Sequence, residues 1–229
     1  MKSKRLIIYG DSSFSEMITH YFQKDSVYEV VAFCVDREYR TRDEIDGCKV
    51  YALDEIEEYF SAENHEIFAA IGYKSVRTHR DLFEKIEKLA YPVASYISSD
   101  AVVDESCQIG VNTLILPGTV IEPHAVVEKN CFVNSSVVVC HHSRIKAHTI
   151  LAAGSVIGGH TEIGESSLIG FNATVAELLQ VADETLVAAG SVLLQDTQRC
   201  TMYAGVPAKP LRTYEETGII LQPTKHQKG

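Results

Sequence analysis

The sequence has no hydrophobic stretch long enough to cross a membrane. Its N-terminal apolar run, in MKSKRLIIYG, leads straight into a glycine turn and is too short for the hydrophobic region of a signal peptide. Positive charge is also scarce, since 21 Lys and Arg face 31 Asp and Glu, for a net charge of −10. We therefore expect no membrane partner and no nucleic-acid partner, although a local basic pocket for a phosphate remains compatible with this charge.

Paired cysteine motifs are missing as well. The six cysteines form no C-x-x-C pair and suggest no disulfide framework, which predicts a reducing, cytoplasmic location. A zinc site built from Cys140, His141 and His142 is disfavoured, because adjacent ligands cannot easily all face one ion. No metal is therefore expected.

Two common enzyme motifs are also absent. The turn after the first strand has a single glycine, Gly10, where the dinucleotide fingerprint G-x-G-x-x-G needs three, so NAD binding is not expected. No G-x-S-x-G motif occurs either, and no other nucleophile motif is evident. If the protein transfers an acyl group, direct attack by the substrate is the simpler mechanism.

What the chain does contain is a strict six-residue repeat. Every sixth residue from Ile97 to Leu193 is Val, Ile or Leu, at seventeen positions without exception. A small side chain tends to recur four residues after each of these aliphatics, and Leu179 breaks this rule. Neither the helical period of 3.6 nor the strand period of 2 keeps such a register. The repeat predicts a parallel β-helix in which three hexads close one triangular coil and the aliphatics form buried columns.

The first 95 or so residues instead alternate strand and helix patterns. The predicted strands are residues 5–9, 28–35 and 67–71, the predicted helices are 13–23, 53–60 and 75–89, and residues 37–48 are predicted as a loop. This alternation of strands and helices favours a small parallel, Rossmann-like sheet covered by helices. We therefore predict an α/β domain at residues 1–95, an all-β parallel β-helix at 96–212, and a C-terminal tail at 213–229.

Ligands of such α/β sheets bind at the carboxyl ends of the strands. Backbone N–H groups of the first turn could receive phosphate or ribose oxygens, and Asp36 could accept hydrogen bonds from a ribose or base. Gly72 would allow close approach of a ligand, and Lys74 and Arg77 are cations that could meet a phosphate. An ordinary strand–helix turn and solvated surface charges explain these residues as well. The candidate turn residues are Gly10, Asp11, Ser12, Ser13 and Phe14.

Histidines mark the repeat region. His124, His142 and His160 are eighteen residues apart, one full coil, and are predicted to stack on one corner of the prism. His141 lies beside this column at the edge of a coil face. A neutral imidazole there could serve as a general base near neutral pH, and backbone N–H groups or His142 could hold a developing oxyanion. An exposed corner histidine without a role is the alternative.

With these features the chain resembles the sialic-acid and bacillosamine type of sugar O-/N-acyltransferases, over roughly residues 5–212. The marks of the resemblance are the string IIYGDSSF, the strand end at Asp36, AIGYK with Arg77, the hexads, and the closing YAGVPAKP. Members of that family join a small nucleotide-sugar-binding α/β domain to a left-handed β-helix. The closing string is typical of hexapeptide transferases that use acetyl-CoA.

The resemblance implies roles for individual residues. His141, four residues before the hexad aliphatic Ile145, corresponds to the base that deprotonates the sugar amine. The family usually follows this base with Glu or Asp, whereas this chain has His142, which could orient His141 by a hydrogen bond or contact the thioester oxygen. The implied nucleotide contacts are Gly10, Ser12, Ser13, Phe14, Asp36 and Gly72. The implied acetyl-CoA contacts are Ile150, where the family often has a histidine, with Gly159, Phe171, Ala189 and Lys209.

By the same resemblance, the expected reaction is transfer of an acetyl group from acetyl-CoA to the amine, at C4, of a nucleotide-linked amino-deoxysugar. The expected assembly is a homotrimer with active sites between adjacent β-helices. N-acetylation is favoured because a deprotonated amine is a strong nucleophile that needs only one histidine. O-acetylation of a sugar hydroxyl and a non-catalytic β-helix scaffold are the alternatives. The residue change at His142 favours a scaffold, whereas the intact GVPAK string argues against one.

Overall fold

The computed structural model of the chain describes residues 4–71 and 75–220. The chain divides into two compact units. The N-terminal unit comprises residues 1–72 and 81–98, and the C-terminal unit comprises residues 73–80 and 99–229. The predicted fold class is confirmed, because the first unit is an α/β domain with a parallel sheet and the second is a left-handed parallel β-helix.

The N-terminal unit is built on a five-stranded sheet in the order β3-β4-β2-β1-β5. Its strands are β1 Lys4–Tyr9, β2 Tyr28–Val35, β3 Glu44–Ile45, β4 Cys48–Ala52 and β5 His65–Ala69. The α-helices within the described residues are α1 Ser13–Asp25, α2 Ile56–Tyr59 and α3 Val76–Glu87. All pairings are parallel except that of β3 with β4. Leu6, Ile7 and Ile8 are fully buried in succession, as expected for a central parallel strand covered on both faces.

The prediction of a loop at residues 37–48 was wrong in part. A short 3₁₀ turn occupies Arg37–Tyr39, and β3 and β4 form a hairpin whose second strand extends the sheet beside β2. Asp46 and Gly47 make the two-residue turn of this hairpin with φ of 47° and 79°. An Asp-Gly pair is a strong hairpin signal, and the polar composition around it obscured that signal.

The C-terminal unit consists largely of two-residue strands, each ending on a hexad aliphatic. The short strands are β6 Tyr96–Ile97, β7 Val102–Val103, β8 Gln108–Ile109, β9 Leu114–Ile115, β10 Val120–Ile121, β11 Val126–Val127, β12 Phe132–Val133, β13 Val138–Val139, β14 Arg144–Ile145, β15 Ile150–Leu151, β16 Val156–Ile157, β17 Glu162–Ile163, β18 Leu168–Ile169, β19 Thr174–Val175, β20 Gln180–Val181, β21 Leu186–Val187 and β22 Val192–Leu193, followed by β23 Thr201–Gly205 and β24 Ala208–Thr213. Of these, β7–β24 belong to the C-terminal unit.

Each two-residue strand of the prism pairs in parallel with the two-residue strand eighteen residues away, for example Ile121 with Val139, whereas β23 pairs in parallel with β21 and antiparallel with β24. Three sheets result. We call them sheet 1 (β7, β10, β13, β16, β19, β22), sheet 2 (β8, β11, β14, β17, β20) and sheet 3 (β9, β12, β15, β18, β21, β23, β24). The predicted buried columns are confirmed from Ile115 to Leu193, whose aliphatics are at most 3% exposed. The first hexad differs, since Ile97 is 44% exposed.

The three corners of the prism are made by residues in the left-handed backbone region. Their φ angles run from 52° to 75°, which turns the chain sharply from one sheet to the next. The histidine corner, between sheets 1 and 2, contains His124, His142, His160 and Leu178. The asparagine corner, between sheets 2 and 3, contains Asn112, Asn130, His148, Ser166 and Glu184. The glycine corner, between sheets 3 and 1, contains Gly118, Ser136, Gly154, Asn172 and Gly190.

Helices are short throughout the described ranges, and the longest, α1, has 13 residues. None of the helices at residues 4–71 and 75–220 is long and apolar enough to cross a bilayer. All six cysteines are free thiols.

Candidate active site

The carboxyl ends of β1, β2 and β5 surround a crevice of about 160 Å³ in the N-terminal unit. Four of the predicted contacts, Gly10, Asp11, Ser12 and Asp36, line it together. The other lining residues are Tyr9, Val35, Tyr39, Ala70, Ile71 and Leu82. Ser13 and Phe14, also predicted, begin α1 and are not among the lining residues, and Gly72 and Lys74 lie outside the described residues.

Gly10 is required by the packing of this crevice. Its φ is +127°, and a Cβ atom there would lie 2.5 Å from the carbonyl oxygen of Ala70. The Gly10 N–H donates to the Cys34 carbonyl at 2.8 Å, which ties the turn to the end of β2. A side chain at this position would therefore push apart the strand ends that form the crevice.

Asp36 is held by neighbours of its own unit. Its carboxylate pairs with the Lys85 ammonium of α3 and bonds with the Tyr9 hydroxyl. Burial first, and then the Asp36 charge, raise the pKa of Tyr9 well above its usual range. A second cavity of about 370 Å³ adjoins Asp36 and is lined by Lys85 and Arg37 among others. This adjoining cavity thus has two cations, Lys85 and Arg37, that the sequence analysis did not identify.

Sequence patterns gave only a weak signal for these two cations. Lys85 was one of several charged residues in a helix pattern, and Arg37 lay in a predicted loop. Arg77, by contrast, was predicted as a phosphate contact and lies in the C-terminal unit. Its Nε donates to Glu184 Oε2 at 2.8 Å, and its terminal nitrogens donate to the carbonyls of Glu215 and Glu216. Arg77 is not among the residues that line the crevice.

Four exposed imidazoles gather at the histidine corner of the C-terminal unit. The predicted stack is confirmed, because the His142 ring centroid lies 4.8 Å from that of His124 and 4.8 Å from that of His160. The His141 ring stands edge-on to this column, 5.4 Å from His142 and 5.2 Å from His160, at interplanar angles of 85°. His141 therefore occupies a separate position beside the column.

His141 is oriented by three contacts. Its Nδ1 lies 3.2 Å from Nδ1 of His142, a hydrogen bond in which one ring donates and the other accepts. Its main-chain N–H donates to Glu122 Oε2 at 2.9 Å. Gly159 lies against the ring, and a Cβ there would be 3.0 Å from His141 Cε1. Of the two roles considered for His142, the hydrogen bond to His141 is thus present.

The protonation state of His142 favours a base at His141. Desolvation first, and then the neighbouring His124, His160 and His141, lower the pKa of His142, so its ring is neutral near pH 7. A neutral His142 can accept the Nδ1 proton of His141. The Nε2 atom of His141 is then left with a free lone pair, as a general base requires.

Glu122 is a contact that the sequence analysis did not identify. It precedes His141 by nineteen residues, so it lies one coil earlier. The eighteen-residue period was the available signal, because it brings residues of adjacent coils together. Glu122 supplies a carboxylate near the turn, although it bonds the main chain of His141 and not the ring.

An apolar groove of about 460 Å³ runs along the outside of sheet 3 at the glycine corner. Three predicted acetyl-CoA contacts, Ile150, Phe171 and Ala189, lie together in its wall. The rest of the wall is Asn134, Ala152, Leu168, Gly170, Leu186, Val187, Ala188 and Met202. Gly159 and Lys209, also predicted, are not part of it: Gly159 supports the His141 ring, and Lys209 is exposed on β24.

The groove and His141 occupy different corners of the same prism. His141 follows β13 of sheet 1 at the histidine corner, whereas Phe171 and Ala189 follow β18 and β21 of sheet 3 at the glycine corner. Sheet 1 lies between the two corners. A single C-terminal unit therefore presents an imidazole cluster and an apolar groove on separate edges.

Comparison with known families agrees with this division. Residues 5–86 match the sequence profile of the PglD N-terminal domain, and residues 94–199 match that of the GMPPB C-terminal domain. No curated protein sequence matches the chain.

Several solved structures share the fold over nearly the whole chain. The acetyltransferase domain of PglB from Neisseria gonorrhoeae is 25% identical, with a TM-score of 0.81, over 91% of this chain and 100% of that one. PerB from Caulobacter crescentus, solved with CoA and GDP-perosamine, is 23% identical, with a TM-score of 0.78, over 90% and 97%. WeeI from Acinetobacter baumannii AYE is 20% identical, with a TM-score of 0.76, over 91% and 100%. PerB and WeeI are less than 25% identical to this chain, so their similarity to it shows a shared fold.

Proposed function

We propose that this chain, which belongs to the sialic-acid and bacillosamine type of hexapeptide-repeat sugar acyltransferases, is an N-acetyltransferase that uses acetyl-CoA. Its acceptor is the amino group, at C4, of a nucleotide-linked amino-deoxysugar. PglB and PerB support this assignment, since one is solved as an acetyltransferase domain with acetyl-CoA and the other with CoA and GDP-perosamine.

The observation that carries the proposal is the arrangement around His141. Its Nδ1 is paired with His142, which frees Nε2 to take a proton from the attacking amine. Acetyl-CoA supplies an acyl group as a thioester. As the amine nitrogen bonds to the carbonyl carbon, the bond to sulfur breaks, and the proton taken by His141 can pass to the departing thiolate. The products are the acetylated sugar and free CoA.

The groove at the glycine corner suits the pantetheine arm of acetyl-CoA. Ile150, Phe171 and Ala189 give it an apolar wall, and Phe171 is 62% exposed and available to a ligand. Because the groove and His141 lie on different edges, we propose a homotrimer in which the groove of one copy faces the His141 of the next. A closed ring of three copies repeats this contact three times.

The crevice of the N-terminal unit is the proposed nucleotide site. Gly10, Asp11, Ser12 and Asp36 supply main-chain and carboxylate groups there, and Tyr39 offers an aromatic ring. In this proposal residues 1–95 bind the nucleotide sugar, residues 96–212 bind acetyl-CoA and carry His141, and residues 213–229 form a tail. The free thiols support a location in the reducing cytoplasm.

The proposal is tested with purified protein, acetyl-CoA and a panel of UDP-, dTDP- and GDP-linked 4-amino sugars. We expect CoA thiol release with one sugar and a product of one added acetyl group. That product should resist alkaline hydroxylamine, which cleaves O-esters and leaves amides intact. If no sugar of the panel causes thiol release, and calorimetry detects no acetyl-CoA binding, a non-catalytic scaffold would be favoured.

His141→Ala should lower the acetyl-transfer rate by about a hundredfold or more, the usual contribution of a general base. His20→Ala, on the exposed face of α1, is the matched control and should keep the normal rate. Near-normal turnover of His141→Ala would refute the assignment of the base.

A further inference from the structure

A cluster of possible metal ligands lies at the histidine corner. His141, His142 and His160 each offer one ring nitrogen, and these three atoms all lie within 4.8 Å of one another. All three side chains are exposed. Among the described residues, this is the one place where three or more His, Cys, Asp or Glu side chains converge in this way.

The spacing is close to that of a metal site. Zinc–nitrogen bonds of about 2.0–2.1 Å in a tetrahedron place neighbouring nitrogens about 3.3 Å apart. The two Nδ1 atoms of His141 and His142 are already 3.2 Å apart. The three nitrogens lie within 4.8 Å of one another, so the exposed side chains must rotate to reach this spacing and to turn the stacked His142 and His160 rings toward one ion.

The coil geometry brings in a ligand that is not adjacent to the others in sequence. Adjacent ligands at 140, 141 and 142 could not all face one ion, but the third ligand here comes from the next coil. His160 lies eighteen residues after His142, and its ring stacks on that of His142 with an interplanar angle of 16°. Two coils together thus provide three imidazole nitrogen ligands and leave a fourth position open to water.

Imidazole nitrogens select for particular ions. They suit Zn²⁺, Co²⁺, Ni²⁺ and Cu²⁺ and are poor ligands for Mg²⁺ or Ca²⁺, which prefer oxygen. The Glu122 carboxylate at the His141 main-chain N–H adds negative charge at the same turn. This charge favours a cation.

We propose that His141, His142 and His160 form a site for a divalent transition-metal ion of the zinc class, and that this ion reversibly inhibits acetyl transfer. The inhibition rests on the proposed function, because an ion held at Nδ1 of His141 breaks the hydrogen bond to His142 and places a positive charge on the ring, which makes Nε2 a weaker base. The metal site itself does not depend on that function.

Binding is tested on untagged protein stripped with EDTA and dialysed. Zn²⁺ titration by calorimetry should give one site per chain, and Co²⁺ should give a visible absorption band of a nitrogen-ligated ion. His160→Gln should weaken Zn²⁺ binding by about tenfold or more. His124→Gln, in the same column but outside the three ligands, should keep the wild-type affinity. No binding, or equal affinity in wild type and His160→Gln, would overturn the site.

Inhibition is tested separately, with the acetylated sugar measured by mass spectrometry because zinc binds the released thiol. Each variant is compared with its own rate in EDTA. Zinc should inhibit the wild type and His124→Gln, and much higher zinc should be needed for His160→Gln. Metal binding with undiminished turnover would refute the inhibition alone. Metal binding in a protein that acetylates no sugar in EDTA would refute the proposed function and leave the metal site standing.

Discussion

Gly159 sets the position of the His141 ring. The two residues belong to adjacent coils, and the absence of a side chain at Gly159 leaves room for the imidazole. The sequence marks Gly159 only as one glycine in a Gly-Gly pair, and the resemblance suggested a role in acetyl-CoA binding. In the structure its nearest neighbours are atoms of the His141 ring.

Gly159→Ala should therefore impair acetyl transfer more than folding. The new Cβ would lie 3.0 Å from Cε1 and 3.1 Å from Nε2 of His141, so the ring must shift by a few tenths of an ångström or rotate. Misplacement of a catalytic group can lower the rate by about a hundredfold. We expect a lower kcat with nearly unchanged Tm. Gly47→Asn, where a Cβ meets nothing within 4 Å, is the control and should keep its rate. Normal turnover in Gly159→Ala would contradict the positioning role.

His148 illustrates a buried imidazole that serves stability. It is 3% exposed, and Asn130 Nδ2 donates to its Nδ1 at 2.9 Å, so the ring is neutral. Burial, helped by the nearby His79, Lys129 and Arg80, lowers the pKa of His148 to about 3. In the unfolded chain the ordinary value is about 6.5. Between these values the unfolded state binds a proton that the folded state does not.

The free energy of unfolding should therefore fall as the pH drops from about 6.5 towards 3, by at most about 1.4 kcal/mol per pH unit from this group. His148→Asn should make that decline shallower, since asparagine occupies the same corner at Asn112 and Asn130 and does not titrate. Urea unfolding at pH 7 and pH 5, at constant protein concentration, measures the difference. The exposed His20→Gln is the control and should keep the wild-type slope. An unchanged slope in His148→Asn would contradict the assignment.

Single-residue roles were the least predictable part of the site. The sequence predicted His141, His142, Gly10 and Asp36 as candidates from repeat spacing and strand ends, and the structure places the two histidines together and Gly10 with Asp36. The sequence did not identify Lys85 beside Asp36 or Glu122 at the His141 main chain. Those contacts depend on which side chains of a helix or coil face each other, and one sequence does not specify that.

At the scale of elements, the corners of the prism share one backbone requirement. Glycine, asparagine, serine and histidine occupy most corner positions, and left-handed φ is least unfavourable for glycine and asparagine. Leu178 departs from this pattern. It follows His160 in the histidine corner with φ of 63°, and its side chain is 69% exposed, so no burial offsets the strain.

Leu178→Asn should stabilise the protein by roughly 1 kcal/mol, since a bulky residue in this region costs about 1–2 kcal/mol. Thermal unfolding should show a higher Tm. The reverse exchange at another corner, Asn172→Leu, should lower the Tm. A lower Tm for Leu178→Asn would contradict the strain argument and indicate that the leucine is covered in the assembled protein.

The regular elements followed from periodicity. Period six predicted the short strands and their inward aliphatics, and the strand at residues 28–35 was predicted to the residue. The hairpin of β3 and β4 was missed because β3 has only two residues and its flanks are polar. Short edge strands are defined by their pairing partners, and local composition does not reveal those partners.

At the scale of the whole molecule, the separation of the groove from His141 predicts activity shared between copies. His141→Ala removes the base from every copy, and Ala189→Trp fills the groove. Each variant alone should be strongly impaired in acetyl transfer. A trimer that contains both variants has a contact in which an intact groove meets an intact His141, so co-expression should restore part of the activity.

The measurement is acetyl transfer by a co-expressed, co-purified mixture, compared with the two variants mixed after separate purification. Analytical ultracentrifugation should give about three times the chain mass of 25.3 kDa. Subunit mixing is checked with different affinity tags on the two variants. Mixed assemblies without recovered activity would contradict a shared site.

Each corner recurs every eighteen residues, and this period limits which insertions or deletions the chain can accept. Duplication of one complete coil would lengthen the prism by one step of about 4.8 Å and keep each later residue at its own corner. An insertion of six residues would keep the aliphatics inside but rotate everything downstream by a third of a turn. With the insertion between His142 and His160, His160 would lie on a different edge from His142. Length changes in multiples of eighteen should therefore be the ones that preserve the histidine corner, whereas multiples of six preserve only the core.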